Sequence, residues 1–301
     1  MDNRAQVREF LASRRARITP GQAGLPAYGG NRRVKGLRRE EVALLAGVSI
    51  DYYIRMERGD LAGASEAVLD GVANALQLDE AEREHLQALA RSARPTTARH
   101  PRPGPATVRP VIQQVLDAIT EAPAWIRNAR HDILAMNTLA RALYSPVLDS
   151  AVAGATARRA ANTTRFIYLD PAARAFFIDY DRVAADAAAM LRLEAGRDPH
   201  DKALITLVGE LSTQSELFRQ HWAAHDVKFH RTGRKRLRHP AVGELDLDFE
   251  AMELPSEPGL CLNVYTAGAG TPAADGLKLL ASWAATRAID NASALDPQDA
   301  R

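Results

Sequence analysis

The chain has 301 residues, 46% of them apolar and 25% charged, with a formal net charge of +2. This is the balance of a globular protein too long for one small helical domain, and two domains are expected. No apolar run reaches membrane-spanning length, no apolar signal core follows Met1, and a lone cysteine, Cys261, excludes both an internal disulfide and a thiolate metal site, so a cytoplasmic protein without metal or cofactor is expected.

The small net charge hides an asymmetry. Residues 1–58 hold 12 basic and 6 acidic residues, a net of +6, so the remainder carries −4. A basic piece on an acidic body suits a DNA-binding head joined to a domain that does not bind DNA. Residues 3–17 predict an amphipathic helix with Val7, Phe10 and Leu11 on one face and Asn3 as a candidate cap. Residues 18–36 are rich in Gly and Pro and read as a loop, in which Arg32, Arg33 and Lys35 are candidate phosphate contacts. The glycines are not a dinucleotide fingerprint, because no apolar strand precedes them.

The stretch Leu37–Gly59 (LRREEVALLAGVSIDYYIRMERG) predicts two short helices around a tight turn. The first has Val42, Leu45 and Ala46 inward, with Ala43 and Ala46 small enough for a close crossing. Gly47 permits the left-handed turn and Ser49 caps the second helix. Tyr53 and Met56 point inward. Ser49, Ile50, Asp51, Tyr52 and Arg55 are placed to face a DNA groove, while Arg39 and Arg58 point where phosphates would lie. Arg55 is the candidate for a bidentate pair with guanine. Glu57 is expected to be structural, paired with Arg38 or Arg39. The run resembles the helix-turn-helix of the phage-repressor-like XRE family through Gly47, Ser49, Asp51–Tyr53, Arg55 and Glu57–Gly59. The resemblance implies sequence-specific binding to double-stranded DNA, and the short symmetric operators read by this motif class imply a homodimer.

Ser65 and Asp79 should cap two further helices, with Val68, Leu69, Val72, Leu76 and Leu78, then Leu86 and Leu89, buried. The head is thus all-α with five helices over residues 1–92, followed by an exposed linker over 93–110. Residues 111–290 form the second domain, and 291–301 a disordered tail. A helix carrying Val111, Val115, Leu116 and Ile119 is stopped by Pro123. Strands over 124–128 and 132–136 flank a turn at Arg130–His131, and Asn137 opens a helix. Residues 150–165 have weak periodicity and no assigned element. Helices follow near 171–178, 180–195, 200–213 and 214–224. Val227 and Phe229 then alternate with polar residues as a strand, Thr232–Gly233 makes a tight turn, and strands over 234–238, 244–250 and 260–264 precede a last helix at 275–288. This half is expected to be α+β, an antiparallel sheet of about five strands with helices on one side.

The second half is similar to the MmyB-like ligand-binding domain. The resemblance rests on Pro123–Trp125, Asp132–Asn137, Leu217–Val227 and Arg238–Leu245. It implies a PAS-like fold and a pocket for an apolar, fatty-acid-like effector. Candidate lining residues are Trp125, Met136, Phe176, Phe177, Phe218, Trp222, Phe229 and Phe249, and candidate donors to a carboxylate are Arg127, Asn137, Arg192 and His225. An alternative is a domain that only dimerises or contacts another protein. His221 and His225 have the i, i+4 spacing of metal ligands, but Trp222 between them suits packing and no Glu follows His221 as in a metalloprotease. No nucleophile with an orienting acid is recognisable, so an enzyme is not expected. The expected chain is an XRE-type regulator with a C-terminal effector domain, its heads re-spaced when effector binds.

Overall fold

The computed structural model describes residues 2–26, 34, 36–93, 108–156 and 159–295, without the side chains of 288–295. Arg32, Arg33, Lys35 and residues 94–107 of the expected linker lie outside the described residues.

The head contains α1 (Asn3–Arg17), α2 (Arg39–Ala46), α3 (Ile50–Glu57), α4 (Glu66–Ala75) and α5 (Glu80–Ser92). Ser49, Ser65 and Asp79 accept from the N–H groups of Tyr52, Val68 and Glu82, as the sequence predicts. The cap of α1 is Asp2, not Asn3: its carboxylate accepts from the Arg4 N–H at 3.0 Å, while Asn3 donates to the Leu89 carbonyl at 3.2 Å. A carboxylate one residue earlier reaches the free N–H groups and suits the positive end of the helix dipole. Gly47 ends α2 at φ 67°. Inside α2, Val42 and Ala43 are buried, whereas Leu45, expected inward, is 36% exposed. The crossing of α2 and α4 explains the exchange. A Cβ at Gly71 would lie 2.7 Å from the Ala46 carbonyl oxygen, so this face takes alanine and not leucine.

The second half runs α6 (Pro110–Ala118), β1 (Ala124–Asn128), β2 (Ile133–Met136), α7 (Thr138–Leu143), α8 (Ser145–Leu148), α9 (Thr163–Leu169), α10 (Ala172–Phe176), α11 (Tyr180–Arg197), α12 (Lys202–Gln214), α13 (Glu216–Ala223), β3 (Thr232–His239), β4 (Gly243–Glu253), β5 (Leu260–Thr266) and α14 (Pro272–Leu295). α6 begins inside the expected linker because Pro110 suits a first helical turn. α14 continues past residue 291, where a tail was expected, and residues 296–301 lie outside the described residues. The unassigned 150–165 region is tied down by Asn162, which caps α9 through the Arg165 N–H and donates to the Arg130 carbonyl and Asp132 Oδ1.

The sheet is antiparallel with order β2-β1-β5-β4-β3. Two expectations fail here. Residues 227–230 are not a strand, and Thr232–Gly233 is not the hairpin turn: both lie in β3, paired with Glu250 and Phe249. The register is set by opposite charges, Arg234 across from Asp248, Arg236 from Asp246 and Arg238 from Glu244, so the reversal falls at 240–242 and Gly243 closes it at φ 78°. Helices also cover both faces of the sheet, not one. Leu116 of α6 packs with Ala124, Ile126 and Leu260, while α14 meets the opposite face, where Leu245 Cδ2 would lie 2.4 Å from a Cβ at Gly276. β1 and β5 carry apolar side chains on both sides and need cover twice. β4 alternates with acids and leaves its outer side to water.

Two compact units result, and they do not follow chain order. One comprises residues 1–101, 188–212 and 218–229; the other, 102–187, 213–217 and 230–301. The division between Ala187 and Ala188 falls inside α11. Leu193, Val227 and Phe229 join the apolar core of the five head helices, which is why Val227 and Phe229 alternate with polar neighbours without forming a strand.

Candidate nucleic-acid interface and effector site

The α2–α3 pair leaves Ser49, Ile50, Asp51 and Arg55 exposed, with Tyr52 half-buried. Ile50 is 50% exposed, unusual for an isoleucine on a small domain. The Arg55 guanidinium carbon lies 4.8 Å from the centre of the Tyr52 ring, and its Nε is 3.8 Å from Asp60 Oδ2. Both members of that ion pair are exposed, so it holds Arg55 only loosely; the ring contact limits its swing. Arg58 is exposed at the end of α3.

Arg39 is not a free phosphate arm. Its Nε and Nη2 each lie 3.2 Å from the Glu57 carboxylate. Arg15, which the sequence reading missed, grips the same carboxylate at 3.1 and 2.8 Å and donates from Nη1 to the Leu37 carbonyl. Glu57 is 2% exposed. Burial raises its pKa, but hydrogen bonds and charge from Arg15 and Arg39 outweigh this and hold it below the ordinary carboxylate value. The structural role expected for Glu57 is present, with Arg39 and not Arg38 among its partners, and it ties α1, α2 and the candidate recognition helix α3 together.

The eight proposed pocket residues divide between the two units. Trp125, Met136 and Asn137 belong to the unit containing the sheet, whereas Arg192, Phe218, Trp222, His225 and Phe229 belong to the unit containing the head. Asn137 is fully occupied. Its Oδ1 accepts from the N–H groups of Ala124 and Ala140 at 3.1 and 2.8 Å, and its Nδ2 donates to the carbonyls of Ile119 and Ala122. No donor remains for a ligand. Asn137→Ala is expected to cost about 2 kcal/mol, the loss of a helix cap plus buried bonds; urea unfolding checks this, and an unchanged midpoint contradicts the assignment.

Arg192 is 4% exposed, donates to the Trp222 carbonyl and stands 4.0 Å over the Trp222 ring. Burial lowers it to about 10, against the pull of Glu9. Around it, Arg14 Nε meets Glu82 at 2.6 Å, and Arg14 Nη2 donates to the His225 carbonyl at 2.6 Å. His85 abuts α11 so closely that a Cβ at Gly196 would lie 2.4 Å from its Nδ1. Burial, then the charges of Arg192, Arg14 and His225, push His85 down to about 3. These residues form a packed polar joint between α1, α5, α11 and the end of α13. His225 itself lies beyond α13 at φ 55°, with Nε2 3.3 Å from Glu9 Oε2, so the i, i+4 spacing with His221 is not helical and the metal reading loses its geometry. Among the described residues no group of three or more His, Cys, Asp or Glu is placed to hold a metal.

The sheet-containing unit keeps an aromatic interior. Trp125, Tyr144 and Tyr265 cluster with ring centres 5.2 and 6.0 Å apart about Tyr144, and the two tyrosine hydroxyls meet at 2.6 Å. Phe176 packs on Tyr144, Phe166 and Phe177. Phe249 lies 6.1 Å from Tyr265.

Comparison with protein families agrees with both halves. A helix-turn-helix domain model matches residues 6–86, and the MmyB-like transcription regulator ligand binding domain matches residues 108–280. No curated protein matches the chain. No helix among the described residues is long and apolar enough to cross a membrane.

Proposed function

From the premise that this chain belongs to the MmyB-like transcription regulators, which are not enzymes, we propose that it reads a specific operator with α3 and responds to an apolar, fatty-acid-like effector in its second domain, acting as a cytoplasmic homodimer. The observation that carries the DNA half is the exposed edge Ser49–Arg55, with Arg55 set against Tyr52 beside an exposed Ile50. Arg55 pairs with guanine, Ile50 meets an apolar base edge, and Arg58 lies along phosphates together with Arg39, which stays half-exposed while Glu57 holds its Nε and Nη2. Arg55→Ala is expected to lose about 1–3 kcal/mol on the operator and little on random duplex. Arg39→Ala weakens both alike and lowers the slope of log affinity against log salt by about one. Anisotropy titrations at two salt concentrations test this. Equal loss on both duplexes for Arg55→Ala defeats the assignment.

Effector binding shifts the spacing of two heads between half-sites about one helical turn apart. The aromatic interior of the sheet-containing unit supports an apolar ligand. A second reading, a domain that only binds protein, is favoured by Val111 and Val115, each 49% exposed one turn apart on α6. Mass spectrometry of an organic extract separates the two: a stoichiometric apolar compound supports sensing, and an empty extract with no thermal shift across a fatty-acid series supports the interaction module.

A further inference from the structure

We propose that Asp51 is a specificity-determining residue of the DNA-reading edge: its carboxylate accepts from the N4 amino group of a cytosine near the guanine read by Arg55, and repels duplexes that lack it. This rests on the operator-reading role proposed for α3 above.

Asp51 stands exposed in the first turn of α3. Between Ser49 and Arg55 only two side chains are ionised, Asp51 and Arg55. They are four residues apart, the spacing at which an acid and an arginine on one helix commonly pair. Here Arg55 is engaged elsewhere, 4.8 Å from the centre of the Tyr52 ring and 3.8 Å from Asp60 Oδ2. Among the described residues Asp51 makes no ion pair and no side-chain hydrogen bond. The neighbouring Ser49 Oγ already accepts from the Tyr52 N–H at 3.2 Å. An unpaired carboxylate is therefore offered on the same edge as the arginine.

Such a group is unfavourable beside a duplex unless a base donor meets it. The backbone carries one negative charge per ~1.7 Å of axis, and a carboxylate adds repulsion to it. In the major groove cytosine N4 is a donor that an aspartate matches. Guanine N7 and O6 and thymine O4 are acceptors and oppose it, and adenine sets its N7 acceptor beside its donor. The charge therefore selects by repulsion of the wrong bases as well as by attraction to the right one. Four helical residues advance about 6 Å, and base pairs repeat every ~3.4 Å, so the cytosine lies within about two base-pair steps of the guanine. A first-turn acid also suits the helix dipole, but that role carries no base preference.

The test is selection from a randomised duplex pool by the full chain and by its Asp51→Ala, Asp51→Asn and Arg55→Ala variants at one salt concentration. Titrations of the selected duplex and its single-base variants follow. The unaltered chain is expected to select a cytosine within two positions of a guanine that Arg55→Ala relaxes, and to bind it at least about fivefold tighter than any other base there. Asp51→Ala is expected to lose the cytosine, keep the guanine and bind random duplex more tightly. Asp51→Asn is expected to move the preference to adenine, whose N6 and N7 suit a carboxamide. A helix-dipole role cannot produce that switch, and it reports independently if Asp51→Ala fails to fold. A consensus unchanged in both Asp51 variants, while Arg55→Ala relaxes the guanine, overturns the role of Asp51 and leaves the operator reading standing. Absence of any consensus for the unaltered chain overturns both.

Discussion

Glu57→Gln is expected to cost the head about 3 kcal/mol and to weaken DNA binding without removing any residue that faces the duplex. The carboxylate is 2% exposed and receives four guanidinium hydrogen bonds, two from Arg15 and two from Arg39. An amide there leaves Arg15, whose side chain is 16% exposed, beside a neutral group whose NH2 opposes its own donors. Arg39 is half-exposed and recovers water, which keeps the cost below the upper end for a fully buried pair. The pH dependence has a definite sign. The folded pKa of Glu57 lies below its unfolded value, so its stabilisation is complete above about pH 4.3 and fades as pH falls through the folded pKa. Urea midpoints of the unaltered chain and the variant should therefore differ widely at pH 7 and converge in acid. A gap that persists unchanged at pH 3 means that the effect comes from packing and not from charge. Because Glu57 holds α3 against α1 and α2, the variant should lose affinity for operator and random duplex together, unlike Arg55→Ala.

Features set by local chemistry were legible in the sequence. Gly47, Ser49, Ser65, Asp79 and Asn137 act within a few residues of themselves, and each sits where a turn or cap was expected. The strict alternation of Leu245, Leu247 and Phe249 placed β4 for the same reason. What failed depends on partners distant in sequence. Arg15 and Glu57 are 42 positions apart, and no spacing rule joins a basic residue on α1 to an acid on α3. A buried acid near the end of a basic motif was the available signal, and it pointed to Arg39 but not to Arg15. Val227 and Phe229 alternate like a strand because one side of the segment enters an apolar core, although that core is helical. The pocket residues were chosen as large apolar side chains and as donors to a carboxylate within one family match. Five of the eight fall in the unit that contains the head, a grouping that residue type alone does not reveal.

That grouping leads to the largest expected effect. A fragment ending at Ser92 contains every helix of the predicted head, yet it should be far less stable than the same helices in the full chain. It loses Leu193 and Val227, both buried in the head core, and burying such side chains stabilises by about 1.5–3 kcal/mol each. It also uncovers Arg14, which in the full chain is 2% exposed and bonded to the His225 carbonyl. A deficit of about 3–6 kcal/mol consumes much of the stability of a small domain. Hydrogen exchange at the Phe10 and Leu11 amides of α1 reads the change in both molecules, and at least a hundredfold faster exchange is expected in the fragment. His85 supplies a second readout. In the full chain it is held at about 3, and its contribution to stability is intact above its ordinary value of 6.5 and declines as pH falls from there toward 3. In the fragment its ring loses the cover of Gly196 and the charges of Arg192 and His225, so its NMR titration should return toward the ordinary value. Gly196→Ala in the full chain drives a methyl group into His85 and should cost about 1–3 kcal/mol by the same joint. Equal exchange protection in the fragment and the full chain would show that the five helices are self-sufficient, and that α11 to α13 add contacts without completing the head.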